Sequence, residues 1–381
     1  MKIALVENFG SDFYGARMRY ALFLQEKGHE VIAIVPNDGF AKRIQEEGIK
    51  TIALNVDIRK RNLSSMKIFA GELRKIFKRE QFDIIHLYRM QPNLIGTPIA
   101  YFSSKDAKII NHITGLGVAF TKNTPKYNLI KFCIKLLYKV NSNFFKASLI
   151  FQNDEDKKEL GNDKKFFVVK GSAVNEDRFV PHLEINDNLK TELRETVGIK
   201  DGITFIFVSR LLKQKGLSYL IQAINSINKS NETVKINLII AGWLDPNNPD
   251  SFSQTEIDIF SKLERIFFLG KRTDINELIA FADIAVLPTF YREGTPRFLL
   301  EAMASAKPII TTDMPGCNHL VKNTKNGILV KPESTDELIK AIKILTGKNL
   351  KNAGSESLKI YEEEFSETVV YNHLLNIYKI H

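Results

Sequence analysis

Short apolar runs rich in β-branched residues recur from one end of the chain to the other, each followed by a longer stretch with helical spacing. KIALVE, VIAIVP, DIIHLY, KIINHIT and SLIFQN carry the pattern through the first half. ITFIFVSR, INLIIAG, IFFLG, IAVLPT, PIITTD and GILV repeat it in the second. Strands that are continuously apolar, rather than alternating, belong to sheets covered on both faces, and alternation with helices makes such sheets parallel. Helices are expected at 14–28 and 63–80, then near 215–229, 274–282, 296–305 and 336–346. The expected fold class is α/β, with two Rossmann-like, doubly wound parallel-sheet domains facing across a cleft.

At 381 residues the chain is too long for one ordinary core. The polar segment RFVPHLEINDNLKTELRETVG, positions 178 to 198, separates the last strand signal of one half from the first of the other. A hinge between Pro181 and Asn188 gives domains at 1–183 and 184–360, and leaves a helical ending, 361–381, to return across either one. Ligands of open parallel sheets bind beyond the carboxyl ends of the strands, which makes the interdomain cleft the default site.

Composition excludes several classes. The start, MKIALVENFG, has too short an apolar run for a signal peptide, and no uncharged stretch reaches the ~20 residues needed to span a bilayer. Cys133 and Cys317 are the only cysteines, without a CxxC spacing, so neither a disulfide framework nor a thiolate metal site is expected. These features fit a bacterial-type cytosol. The formal charge of +10 implies a polyanionic partner. It is concentrated in the first half, in a basic run at 58–80 and in the interval between Asp106 and Asp154, which contains no acid.

Strand ITFIFVSR ends at Arg210, and Lys215 follows at the start of the next helix. Cations at a strand's carboxyl end and a helix's amino end suit a diphosphate clamp, or they are two surface cations; the spacing alone does not choose. In YREGTPRFLLEAMASAKPIIT, positions 291 to 311, Glu293 precedes a Gly-Thr-Pro turn and Glu301 interrupts an apolar helix. Thr295 can cap that helix and Pro296 suits its first turn, which leaves backbone N–H groups from Gly294 onward free for a ligand. Glu301 either pairs with Arg297 within the helix or accepts from the hydroxyls of a ribose. The apolar neighbours favour the ribose. The loop ENFGSDFYGAR contains Gly10 and Gly15 but is neither a GxGxxG nor a P-loop; its Arg17 meets phosphate or solvates a helix start.

Together these residues resemble the retaining glycosyltransferases of the two-domain GT-B fold, family 4. The resemblance rests on Arg210 with Lys215, on the E-x7-E pair Glu293 and Glu301 with EGTP between, on MKIALV…FG, on KGSAVNEDRF at 170–179 and on LGKRTDINELIAFADIAVLPT at 269–289. It implies a nucleotide-sugar donor in the C-terminal domain, with Glu301 on the ribose, Arg210 and Lys215 on the diphosphate, and Glu293, Gly294 and Thr295 at the sugar. Gly10 would admit the donor phosphates from the N-terminal, acceptor-side domain. No cofactor and no divalent metal is implied, because the two cations neutralise the leaving diphosphate. The alternatives are an epimerase of nucleotide sugars on the same plan and a non-catalytic accessory subunit.

Two positions depart from the family's pattern. Thr114 stands directly before Gly115, where many relatives carry histidine, and His112 lies two residues back, so either His112 or Thr114 meets the sugar, or His112 is a core histidine. Ala306 stands where glycine usually follows the helix. The version of this loop with Gly-Leu-Gly resembles relatives that build bacterial surface polysaccharides, lipopolysaccharide or O-antigen on a polyprenyl-diphosphate carrier. A uridine-linked hexose or N-acetylhexosamine would be the donor and a lipid-linked saccharide the acceptor. Such a protein would sit peripherally on the inner face of the cytoplasmic membrane. In KYNLIKFCIKLLYKVNSNFFK, Lys131, Lys135 and Lys139 form one helical stripe that suits an anionic membrane surface. Nucleic acid is not expected as a partner, since no binding module is present.

Overall fold

The computed structural model describes residues 1–56, 62–181, 183–230, 234–322 and 324–380. Positions 58–61 of the basic run, and position 182 of the expected hinge, lie outside the described residues. The chain divides into two compact units.

The first unit holds a seven-stranded sheet of β1 (Lys2–Val6), β2 (Glu30–Pro36), β3 (Lys50–Leu54), β4 (Ile84–Tyr88), β5 (Lys108–Ile113), β6 (Ser148–Phe151) and β7 (Phe166–Val168), in the order 3-2-1-4-5-6-7. The second holds six strands, β8 (Ile203–Val208), β9 (Ile236–Ala241), β10 (Ile266–Gly270), β11 (Ile284–Leu287), β12 (Ile309–Thr312) and β13 (Gly327–Val330), in the order 10-9-8-11-12-13. All the pairings are parallel. Each sheet therefore has one switch point where the winding reverses, between β1 and β4 and between β8 and β11. Crevices open at the carboxyl ends of such strands.

The central strands are buried on both faces, as their continuous apolar runs require: β4 and β9 are buried at every position. The expected strands form. Two edge strands, β3 and β7, carry no comparable signal, because each is flanked by lysine and leaves part of its length accessible. Helices Leu63–Glu80, Leu217–Lys229, Ile275–Phe281, Arg297–Ala304 and Thr335–Thr346 fall where the periodicity places them. The stretch expected as one helix at 14–28 is two, Gly10–Ala16 and Met18–Glu26, broken at Arg17.

The domain limits differ from those expected. The units are 1–172 together with 370–381, and 173–369. Val174 and Phe179 are buried in the second core, and the Arg178 guanidinium donates to Asn276 at 3.1 Å, so most of the KGSAVNEDRF segment belongs to the second unit. The ending is likewise not one piece. Helix Leu350–Glu364 stays with the second unit, where the Tyr361 hydroxyl donates to Glu176 at 3.0 Å. Helix Glu367–Tyr378 falls in the first from Val370 onward and buries Tyr371, Leu374 and Tyr378 there.

Candidate active site

Arg210, Lys215 and Glu293 all leave the carboxyl ends of β8 and β11, the two strands that flank the second switch point. Lys215 closes a single 3₁₀ turn, and Gly216 follows at φ +78°. A β-carbon on Gly216 would lie 2.0 Å from the Pro288 carbonyl oxygen, so only glycine allows this turn to reach the end of β11. Backbone contacts then join the two segments: the Phe290 N–H and the Thr289 hydroxyl both donate to the Gln214 carbonyl, at 2.9 and 3.1 Å.

This places the Lys215 ammonium in an ion pair with the Glu293 carboxylate, with side chains 14% and 16% exposed. The ammonium also lies 5.4 Å from the centre of the Tyr291 ring, within cation–π range. From the other side, Gly316 at φ +87° presses on the backbone of Glu293 and Gly294. Cys317 is fully buried next to it, and its thiol is pushed up to about 12, first by burial and then by the Glu293 charge. Lysine carries three donors and no acceptor. A Lys215 held against Glu293 therefore keeps donors for a second anion.

The other expected partners are distributed differently. Arg210 is half-exposed and pairs with Asp245 at 3.0 Å, beyond the end of β9, an acid that no sequence motif singled out. Glu301 forms the intrahelical pair with Arg297, Nε to Oε1 at 3.2 Å. The apolar neighbours Phe298, Leu299, Leu300 and Ala302 are buried on the far side of the helix and leave this narrow polar edge free for both residues. Thr295 does not cap the helix. Pro296 occupies the capping position without a side-chain bond, and the Thr295 hydroxyl lies 3.4 Å from Nε2 of His319. Ala306 does adopt the left-handed conformation, at φ +56°.

In the first unit, the Gly10 N–H donates to Asp38 at 2.9 Å, and a β-carbon there would lie 2.4 Å from the same carboxylate. Gly15 has open space around it. His112 is a core histidine, 2% exposed. Its Nδ1 lies 3.2 Å from Nε2 of His86, whose Nδ1 meets the Tyr378 hydroxyl at 2.6 Å. Burial holds both imidazoles well below the ordinary histidine range. Thr114 and Gly115 are half-buried in the loop after β5.

The switch point of this first sheet carries a group that sequence reasoning missed. Glu7, fully buried just past β1, lies between Arg17 at 3.5 Å and Arg89 at 3.0 Å, and Arg89 reaches Asp12 at 2.5 Å. Burial raises the Glu7 carboxyl against the pull of Arg89 and Arg17. Arg17 is therefore not a solvated helix start; it is buried, 4.2 Å over the Tyr88 ring. Arg89 holds φ +71°, a conformation that costs a non-glycine residue ~1 kcal/mol. The signal available in the sequence was an acid ending an otherwise apolar strand.

Helix Pro125–Asn143 starts at a Thr124 cap and buries Ile134, Tyr138, Asn141 and Ser142. Its lysines are partly occupied: Lys135 pairs with Glu159 at 2.7 Å, and Lys131 lies 5.6 Å over the Phe120 ring, while Lys139 is exposed. The adjoining face is apolar and open, with Leu129 and Phe132 each 64% exposed and Leu136 51%, and Phe144 just after the helix 61%. Among the described residues, no helix is long and apolar enough to cross a membrane, and no group of three or more His, Cys, Asp or Glu side chains could hold a metal ion.

Two doubly wound domains, the second with paired ionic groups at its switch point, define the GT-B class. Residues 2–153 match the family model for glycosyl transferase 4-like proteins, and residues 190–357 match that for glycosyl transferases group 1. The chain belongs to this glycosyltransferase family. It is 26% identical to the N,N'-diacetylbacillosaminyl-diphospho-undecaprenol alpha-1,3-N-acetylgalactosaminyltransferase of Campylobacter jejuni, over 99% of this chain and 98% of that protein. It is 27% identical to the UDP-Gal:alpha-D-GlcNAc-diphosphoundecaprenol alpha-1,3-galactosyltransferase of Escherichia coli, over 86% and 85%. A glycosyltransferase from Rickettsia africae has the same fold, with a TM-score of 0.79 at 20% identity, over 99% of this chain and 97% of that one.

Proposed function

We propose that the chain is a retaining glycosyltransferase. It moves a hexose or N-acetylhexosamine from a uridine-diphosphate sugar to a saccharide carried on a polyprenyl diphosphate, in the synthesis of a bacterial surface polysaccharide. The observation that carries this reading is the Lys215–Glu293 pair at the switch point. It sets a cation where a diphosphate would leave and a carboxylate where the transferred sugar would sit. The names of the two relatives above support the lipid-linked acceptor, and one of them supports the uridine nucleotide.

In this reading the bond from the anomeric carbon to the diphosphate oxygen breaks as the acceptor oxygen bonds to the same face of that carbon. The acceptor's proton passes to the departing phosphate oxygen. Arg210 and Lys215 stabilise the charge that develops there, which is where preorganised electrostatics contributes most. Glu293, with backbone groups of Gly294 and Thr295, orients the sugar, and Glu301 turns from Arg297 to the ribose hydroxyls. No divalent ion is required, since the two cations neutralise the leaving group. The exposed apolar face of helix Pro125–Asn143, with Lys131, Lys135 and Lys139 beside it, holds the protein on the inner, anionic face of the cytoplasmic membrane.

The test is a screen of nucleotide sugars for thermal stabilisation, which grows as RT ln(1 + [L]/Kd). The best ligand is then offered lipid-diphosphate saccharides with and without EDTA. The expected result is a glycosylated lipid with the donor's anomeric configuration, formed equally well with chelator. An inverted product or loss of activity in EDTA overturns the mechanism. An epimerised nucleotide without transfer makes the protein an epimerase, and stabilisation with no product makes it an accessory subunit.

A further inference from the structure

Away from the switch point, the first unit contains a cavity of ≈ 730 Å³ beside the amino ends of β5 and β6 and along edge strand β7, with helix Glu367–Tyr378 as one wall. Its interior is apolar, from Tyr101, Ile109, Phe145, Phe167, Val168 and Ile377. Its remaining lining includes Lys105, Lys108, Lys146, Lys164, Lys165 and Lys379, and no carboxylate. Among the described residues none of these six lysines makes an ion pair. Lys108 and Lys165 instead donate to the backbone carbonyls of Ile377 and Ser142, at 2.5 and 3.2 Å. The Lys108 ammonium is held below the ordinary lysine range by burial and then by the charge of Lys379. Six lysines without an ion-pair partner thus surround an apolar hollow, Lys379 disfavours the charge on Lys108, and an anion with an apolar body relieves both the charge and the exposed hydrocarbon.

The cavity also lies next to the end of helix Pro125–Asn143. Tyr101 and Phe145 line it, and both meet neighbouring rings tilted or edge-on: Tyr101 lies 6.0 Å from Phe144, Phe145 lies 5.0 Å from Phe144, and Phe102 lies 6.0 Å from Phe145. Phe102 and Phe144 are 66% and 61% exposed. Phe144, directly after the helix, thus joins the aromatic cluster at the cavity to the end of a helix that exposes Leu129, Phe132, Leu136 and Val140.

We propose that this cavity binds a single anionic phospholipid, with the phosphate headgroup among the lysines and an acyl chain against Tyr101 and Phe145. It would be a site separate from donor and acceptor. The proposal rests on the membrane attachment argued above for its source of lipid, and its test separates the two. The probe is monomeric dihexanoylphosphatidylglycerol, below its micelle-forming concentration, added to the full chain and followed by calorimetry. Dihexanoylphosphatidylcholine and inorganic phosphate are run alongside. Saturable binding of the anionic lipid, at least tenfold tighter than either control, is expected.

The exposed triple variant Lys105→Gln/Lys164→Gln/Lys379→Gln should weaken that binding tenfold or more. Ala107→Phe, which fills the hollow, should abolish it while leaving inorganic phosphate unaffected. Equal affinity for the neutral lipid, phosphate binding as tight as the lipid, or no change in both variants overturns the proposal. Binding of the monomeric lipid by a protein that does not sediment with vesicles leaves the pocket standing and removes the membrane reading. Sedimentation without monomer binding does the reverse.

Discussion

A β-carbon on Gly316 would lie 2.4 Å from the carbonyl oxygen of Glu293, so the loop after β12 is seated directly on the backbone that carries the site's carboxylate. Gly316→Ala must push that loop away, and its φ of +87° adds strain. We expect kcat/KM to fall at least tenfold and the melting temperature to drop. Gly15→Ala, where nothing lies within 4 Å, serves as the control and should change neither. Normal turnover in the Gly316 variant would remove the geometric argument for the site.

Glu293→Gln and Lys215→Ala should each lower kcat/KM roughly 10²-fold, about 2.7 kcal/mol of transition-state stabilisation. The two side chains are partners in a partly buried pair, so the double variant should lose much less than the sum of the single losses. Strict additivity, measured by steady-state kinetics on all three variants, would show that the pair does not act as a unit.

His86 and His112 give the protein an acid limit. Both imidazoles are buried and stay neutral when folded, whereas in the unfolded chain they take a proton near pH 6.5. The unfolded state then binds more protons, so stability falls as the pH drops below about 6.5, by up to about 1.4 kcal/mol per pH unit for each ring. Urea midpoints between pH 7.5 and 5.5 should shift less in His112→Gln than in the parent. Identical slopes would contradict this.

How much of this was legible in the sequence depends on distance along the chain. The alternation of apolar runs and helices specifies the two parallel sheets because a strand buried on both faces is apolar on both, apart from a few positions such as His86 and Asn237. Lys215 and Glu293, which the fold pairs, could each be singled out because each sits beside its own turn signal. Glu7, Arg17 and Arg89 were not legible: the carboxylate and guanidinium meet only when β1 and β4 become neighbours. For Glu301 the sequence leaves a pair with Arg297 and a ribose both open, and the narrow polar edge that lets the pair form cannot be seen from composition. Val174 and Phe179 fall on the first-domain side of the expected hinge, because nothing local shows which core will enclose them.

Ala306, at φ +56°, is a position where the chain accepts a cost that glycine avoids. Ala306→Gly should raise stability by roughly 0.5–1 kcal/mol, read as a higher urea midpoint with an unchanged m-value. A destabilised variant would mean that the methyl group makes contacts outweighing the strain.

Vesicle binding should depend more on hydrocarbon than on charge. Leu129→Ser/Phe132→Ser/Leu136→Ser removes exposed apolar surface and should release the protein from anionic vesicles. Lys131→Gln/Lys135→Gln/Lys139→Gln should weaken sedimentation less, since Lys135 is already engaged by Glu159. Equal retention of both variants would count against the helix as the attachment surface.

Helix Glu367–Tyr378 supplies the Tyr378 hydroxyl to His86 and buries its apolar side in the first unit. During synthesis, the first unit must wait until residues 370 onward have been made before its own fold is finished. The later half has every strand it needs while that helix is still in the exit tunnel. A fragment cut after Ser172 would lack this closing segment, and making the first unit alone would require grafting residues 370–381 onto it.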